Sequence, residues 1–240
     1  MSVNLWIFGN HSIPFKDRKI ENSSNVIALL NSLEFEKSEF LIERCKEWFT
    51  PDVEYYKSNF GEEYYENFAK EEKKLLDRYI NKKSWSVYED EDSEYDSDEY
   101  DFEGPYGIEV TIHKYFFWIS ILIGRYSHWW SDSKFYDFLM REKWRLIIYK
   151  IVNILGGDYV MYFPSNITDL DIYLPSNFFP KELKKQSQED VKDLEHLVKI
   201  ISDKYSRPLS LLEADRIFSK LEKVPFVIDR FEDLDKTLRI

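Results

Sequence analysis

Ile108-Glu109-Val110-Thr111-Ile112-His113-Lys114-Tyr115-Phe116-Phe117-Trp118-Ile119-Ser120-Ile121-Leu122-Ile123 carries two hydrophobic rhythms in succession. Ile108, Val110 and Ile112 alternate with Glu109, Thr111 and His113, which gives a strand with one buried face. Tyr115 to Ile123 is apolar at both parities, broken only by Ser120, which gives a strand covered on both faces. His113-Lys114 is the expected connection. The stretch therefore predicts a hairpin whose second strand lies centrally in a sheet.

Further strands are expected at residues 3–8, ended by Gly9-Asn10, at Tyr159–Phe163, ended by Pro164, and at Phe226–Ile228. Helical spacing of apolar residues surrounds them. A short helix capped by Ser23 or Ser24 carries Val26, Ile27, Leu29, Leu30 and Leu33. A second covers about 36–49, with Phe40, Leu41, Cys45, Trp48 and Phe49 on one stripe. A third covers about 62–81, with Tyr65, Phe68, Leu75, Leu76, Tyr79 and Ile80 inward. A long helix from Asp132 or Ser133 to Leu155 would bury Phe135, Phe138, Leu139, Leu146 and Tyr149 and stop at Gly156-Gly157. Ser187 to Asp190 gives a weak capping signal. Ser210-Leu211-Leu212-Glu213 matches a capping box. The fold class is α+β: a small antiparallel or mixed sheet packed with helices, with helix-rich N-terminal and C-terminal thirds. One domain spans 1–240, within which 1–85 is a candidate helical subdomain.

The chain has 240 residues, 45 acidic against 33 basic, and a net charge of −12. A hydrophobic share of 43% and an aromatic share of 18% exclude wholesale disorder. Ten of the fifteen residues at 89–103 are acidic and none is basic. Outside that segment 35 acidic residues face 33 basic ones, so the rest of the chain is close to neutral at −2. The segment reads as a solvated acidic loop. Asp92, Glu94, Asp96, Asp98 and Glu103 resemble part of a calcium-loop ligand pattern, but Ser97 stands where the turn needs glycine and no helix enters. The loop is a candidate partner-binding element instead. Asp90, Asp92, Glu94, Asp96, Asp98, Glu99 and Asp101 supply the field, and Tyr95 and Tyr100 supply contact area for a basic protein. The alternative is a solvated insertion with no role.

The acidic balance argues against nucleic acid and against an anionic membrane surface as partners. The longest apolar run is about half of the roughly 20 residues that a membrane span needs. The N-terminus lacks a basic n-region and a long apolar stretch. A single cysteine, Cys45, allows no internal disulfide. A cytoplasmic location is expected.

Signals for chemistry are sparse. His11, His113, His128 and His196 have no metal spacing and read as ordinary surface or turn histidines. Cys45 lies on an apolar helical stripe, which is no setting for a nucleophile. Gly156-Gly157 follows a helix and precedes a strand, unlike a phosphate-binding loop, and no GxSxG elbow occurs. No catalytic residue, metal site or cofactor is expected. Arg125-Tyr126-Ser127-His128-Trp129-Trp130 is the densest recognition group. Arg125, Tyr126 and Trp129 are candidate partner contacts, against a reading in which the tryptophans plug the sheet and Arg125 meets a carboxylate.

From this segment through Leu155-Gly156-Gly157-Asp158-Tyr159-Val160-Met161-Tyr162-Phe163-Pro164-Ser165, the chain resembles predicted immunity proteins of bacterial polymorphic toxin systems. Those pair an aromatic-rich segment with a helix, a small Leu-Gly turn and a strand end. Ser165 stands where that pattern has Asp, and the resemblance covers about 125–165. It implies a cytosolic protein that neutralises a cognate toxin by stoichiometric occlusion, and it carries no catalytic residues. The partner expected is then a protein, such as a basic toxin domain. Two other classes stay open: an enzyme with an unrecognised site near Arg125 and His128, and a scaffold or regulatory subunit.

Overall fold

The computed structural model describes residues 5–16, 19–33, 35, 38–87, 99–122, 126–130, 136–164, 193–204, 207–217 and 226–240. In chain order the elements are β1 (Leu5–Gly9), β2 (Phe15–Lys16), β3 (Lys19–Ile20), α1 (Ser23–Asn31), α2 (Glu39–Trp48), α3 (Val53–Phe60), α4 (Glu62–Asn81), β4 (Ser86–Val87), β5 (Glu99–Glu103), β6 (Glu109–His113), β7 (Phe117–Ser120), α5 (Phe138–Ile154), β8 (Val160–Pro164), α6 (Leu194–Lys204), β9 (Leu209–Ser210), α7 (Leu211–Ile217) and β10 (Val227–Asp229). Eight strands form one sheet in the order β4-β5-β6-β7-β1-β8-β10-β9, and β2 pairs with β3 apart from it. Every neighbour in the large sheet is antiparallel except β9 and β10, so the sheet is mixed and the fold is α+β.

Register explains both rhythms of the hairpin. Ile7 of β1 stands opposite Ile119 on one side and Tyr162 on the other, and Tyr162 stands opposite Val227. This row faces the main core, which α1, α2 and α5 cover with Leu30, Leu41, Trp144, Ile148 and Ile151. The next row, Phe8, Trp118, Met161 and Ile228, faces away and joins a second cluster closed by Leu194 and Leu197 of α6. The central strands are thus covered on both sides, while β6 is covered on one. β7 is central, as its two-sided apolar pattern requires. The candidate helical subdomain supplies β1 to the middle of this sheet and α1 and α2 to the main core.

Local chemistry sets the helix ends. Asn22, not Ser23 or Ser24, caps α1 by accepting from Asn25 N–H; Ser38 caps α2 and Asp52 caps α3. Helix α3 is an element that the apolar spacing did not announce, because none of its residues is buried. Residues 187–190 lie outside the described residues, and the cap of α6 is Asp193, which accepts from His196 N–H at 2.7 Å. The capping box at Ser210 forms in both directions: Glu213 N–H donates to Ser210 Oγ at 3.3 Å and Ser210 N–H donates to Glu213 Oε2 at 2.9 Å.

Two expectations are corrected. Helix α5 starts at Phe138 with Asp137 as its cap, not at 132 or 133. Phe138 and Leu139 are therefore on the first turn and exposed, at 61% and 53%. The inner face of α5 instead combines Trp144, Ile148 and Ile151 with two buried arginines. The acidic segment is not a loop throughout, since Glu99–Glu103 is strand β5. A period of two is hidden in its charge: Phe102 is buried and Tyr100 packs on the main core. The intervening acids turn the other way, where Asp101 accepts from Thr111 Oγ1 at 2.6 Å and Glu103 meets Arg78 and Lys82.

Candidate protein-binding surface

The residues singled out in the sequence separate in the fold. Asp90, Asp92, Glu94, Tyr95, Asp96, Asp98 and Arg125 lie outside the described residues. Glu99, Tyr100 and Asp101 belong to β5, where Tyr100 packs edge-on to Phe15 with ring centres 6.4 Å apart. Tyr126 opens a 3₁₀ turn that ends at Trp129. Trp129 and Trp130 are completely buried. The assignment of Trp129 as a partner contact is therefore corrected. Its ring lies 5.0 Å from that of Tyr162, and its carbonyl accepts from Arg141 Nη1 at 3.2 Å, so it seals the core beneath α5.

The histidines are less ordinary than their scatter suggests. His11 donates Nε2–H to the carbonyl of His113 at 2.7 Å and accepts Ile13 N–H at Nδ1, which fixes one neutral tautomer. His113 is 2% exposed rather than a surface residue. Burial, and then the nearby His11 and Lys114, push its imidazole down to about 4. Cys45 is buried as expected, facing the carbonyl of Tyr106, and burial pushes its thiol up to about 11.

Sequence reading missed the largest polar centre. Arg145 of α5 donates through Nε and Nη2 to Asp229, through Nη1 to both oxygens of Glu142, and through Nη2 to Asp233. Tyr162 donates to Asp229 Oδ2 at 3.0 Å, and Phe231 N–H donates to Asp229 Oδ1 at 2.9 Å. Arg141, one turn earlier, reaches Asp215 at 2.7 Å. The available signal was the pair of arginines four apart, with Glu142 between them, on the buried side of a helix. A cavity of about 520 Å³ lies alongside, bordered by Ser210, Glu213, Asp229 and Asp233. Asp229 and Asp233 are held by Arg145, and Ser210 and Glu213 by each other; the arginine centre ties α5 to β8, β10 and α7. Among the described residues no group of three or more His, Cys, Asp and Glu side chains could hold a metal ion.

Among the described residues, three half-exposed aromatic side chains gather on the α3–α4 hairpin. Gly61 turns the chain between the two helices. Leu75, Leu76, Tyr79 and Ile80 of α4 pack on the main core, whereas among the described residues neither core cluster includes any part of 53–74. The aromatic residues there pack on each other. Tyr56 stacks on Phe68 with ring centres 4.5 Å apart, Phe60 lies 5.0 Å from Tyr64, and Tyr55 touches both Tyr56 and Phe60. Tyr55, Phe60 and Tyr64 remain about half exposed, at 54%, 52% and 49%. Within residues 52–66, Asp52, Glu54, Glu62, Glu63 and Glu66 stand against one lysine, Lys57, which is already bound to Glu62. Exposed aromatic residues in mutual contact make this hairpin a candidate interaction surface.

Comparison with protein-family models, with curated proteins and with solved structures finds no match to this chain.

Proposed function

We propose that the chain is a non-enzymatic binding protein that occludes a protein partner of basic surface, as expected of an immunity protein neutralising a cognate bacterial toxin in the cytoplasm. The observation that carries this reading is the half-exposed aromatic ladder Tyr55–Phe60–Tyr64, in a stretch whose carboxylates outnumber its one lysine. Tyr and Phe bury much area for few rotatable bonds, and such side chains dominate binding energy once water is excluded. These carboxylates and the acidic segment at 90–98 raise the encounter rate with a positively charged domain, and that term weakens with salt. The likeness of 125–165 to immunity proteins supplies the toxin in this reading. Its buried tryptophans belong to the core, so the contact face assigned here lies on the hairpin.

The test is co-expression with the toxin domain encoded beside the gene. Protection is expected. Tyr55→Ala/Phe60→Ala/Tyr64→Ala removes ring contacts within the hairpin and should lower the urea midpoint modestly while the main core stays folded; it should abolish protection and weaken affinity at least about 100-fold. Amide replacement of Asp90, Asp92, Glu94, Asp96 and Asp98 should flatten the salt dependence of association. Absence of protection by the unaltered chain overturns the immunity reading. Unchanged binding by the triple variant overturns the hairpin as the contact face.

A further inference from the structure

The loop after β1 is fastened at three points. Asn10 Oδ1 accepts from the main-chain N–H groups of Asp158 and Tyr159, and Ser12 N–H donates to the carbonyl of Leu155 at 3.0 Å. Those two ties reach the turn between α5 and β8. The third runs through the ring of His11 to the turn between β6 and β7. Its Nε2–H donates to the carbonyl of His113 at 2.7 Å, while Nδ1 accepts from Ile13 N–H at 3.1 Å. Both ring nitrogens are engaged, and in opposite senses. An imidazolium has two donors and no acceptor. A proton on Nδ1 sets a donor against Ile13 N–H, so this tie exists only with the neutral ring.

The surroundings of the ring disfavour a charge. Phe15 and Phe117 lie with ring centres 6.0 and 6.4 Å from it. The neighbouring basic groups are His113 and Lys114 on the β6–β7 turn and Lys16 on β2. Two carboxylates belong to adjoining elements: Asp158 accepts from Asn10 Nδ2 at 2.7 Å, and Glu99 stands opposite His113 in the β5–β6 register. Neither sets the charge of His11. Burial pushes its imidazole down, against the carbonyls of His113 and Phe116. His113 itself is 2% exposed and is held down further, to about 4.

We propose that His11 is an acid-released latch: a proton on Nδ1 frees its ring and residues 13–15 from the β6–β7 turn, while Asn10 and Ser12 keep the loop anchored to the turn after α5. The released ring is solvated and takes a proton near the ordinary histidine value of about 6.5. The latched ring resists that proton, so falling pH favours release. The sheet takes no part in the step, since β1 pairs with β7 and β8 through residues 5–9. This inference does not depend on the hairpin as a partner surface.

The test follows the histidine ring nitrogens and the main-chain amides of the full chain by nuclear magnetic resonance as pH falls. His11 is expected to take its proton before His113. Between about pH 7.5 and about pH 5 the Ile13 amide should lose about tenfold in exchange protection, after correction for the intrinsic rate. The amides of Ser12, Tyr159 and β8 should keep theirs. His11→Gln can still donate and accept but does not titrate, so it should hold the Ile13 amide equally at both ends of that window. The proposal is overturned if Ile13 protection does not fall, if it falls together with that of β8, if His113 takes the proton first, or if His11→Gln shows the same fall.

Discussion

Arg145 holds Asp229 across 84 residues of sequence, with Nε 2.7 Å from Oδ2 and Nη2 2.9 Å from Oδ1. Both side chains are almost wholly buried, at 1% and 2% exposure. A buried ion pair of this kind is weak evidence of net stabilisation, but removing one member leaves the other charge without its partner. Arg145→Met strands Asp229 and Glu142 together and should cost about 3–5 kcal/mol in urea unfolding. Asp233 touches the same guanidinium from a side chain that is 67% exposed, so Asp233→Ala should cost less than about 1 kcal/mol. Equal losses in the two variants would remove the distinction.

That centre also marks where sequence reading stops. Strand periodicity and caps are local, so β6, β7 and the capping box at Ser210 were legible. Asp229 became a partner of Arg145 only when β10 settled beside β8, and nothing within a few residues of either announces that. The acidic run shows the converse failure. Its composition hid the alternation of Tyr100 and Phe102, whose burial depends on pairing with β6. Helix α3 buries nothing, so an apolar stripe could not reveal it, and the aromatic ladder emerges only when α3 folds back on α4.

Gly157 sits where α5 hands over to β8. A β-carbon built there would lie 2.0 Å from the main-chain oxygen of Asn10. Asn10 Oδ1 accepts from Asp158 N–H at 3.0 Å and from Tyr159 N–H at 3.2 Å, so the loop after β1 is tied to this turn. Gly157→Ala must push that loop away and should destabilise by about 2 kcal/mol or more. Gly61→Ala meets open space, but its backbone at φ 89 and ψ 167 lies in a region essentially confined to glycine, so the backbone alone should cost about 1–3 kcal/mol. Denaturant midpoints of the two variants check both losses.

His113 should make the fold sensitive to mild acid. Burial, followed by His11 and Lys114, lowers it from 6.5 to about 4 in the folded state. The unfolded chain therefore binds a proton first as pH falls. The stability it contributes is complete above about pH 6.5 and is lost progressively down to about pH 4, amounting to about 3 kcal/mol. His113→Gln should lose stability less steeply over that window. Urea unfolding of both proteins at several pH values gives the difference, and parallel curves would contradict the assignment.

Cys45 should resist thiol reagents. It is completely buried, and its thiol is pushed from 9.0 up to about 11. Near pH 8 that shift alone lowers the thiolate fraction about 100-fold relative to the unfolded chain. Reaction with an aromatic disulfide reagent should be slow in buffer and complete at once in 8 M urea. Prompt stoichiometric labelling of the folded chain would show that the site opens.

The acidic segment gives the last contrast, because its C-terminal end is sheet and not solvated chain. Phe102 is 1% exposed and pairs with Val110 on one side and Val87 on the other. Phe102→Ala removes a ring from the main core and should cost about 3–5 kcal/mol. Asp101, one residue away, faces solvent and meets Thr111, so Asp101→Asn should stay within about 0.5 kcal/mol. Amide hydrogen exchange supplies an independent measurement, since the β5 amides paired with β6 should exchange far more slowly than exposed chain. Rapid exchange across 99–103, together with a mild Phe102→Ala effect, would return the whole acidic segment to the solvated loop that its charge suggests.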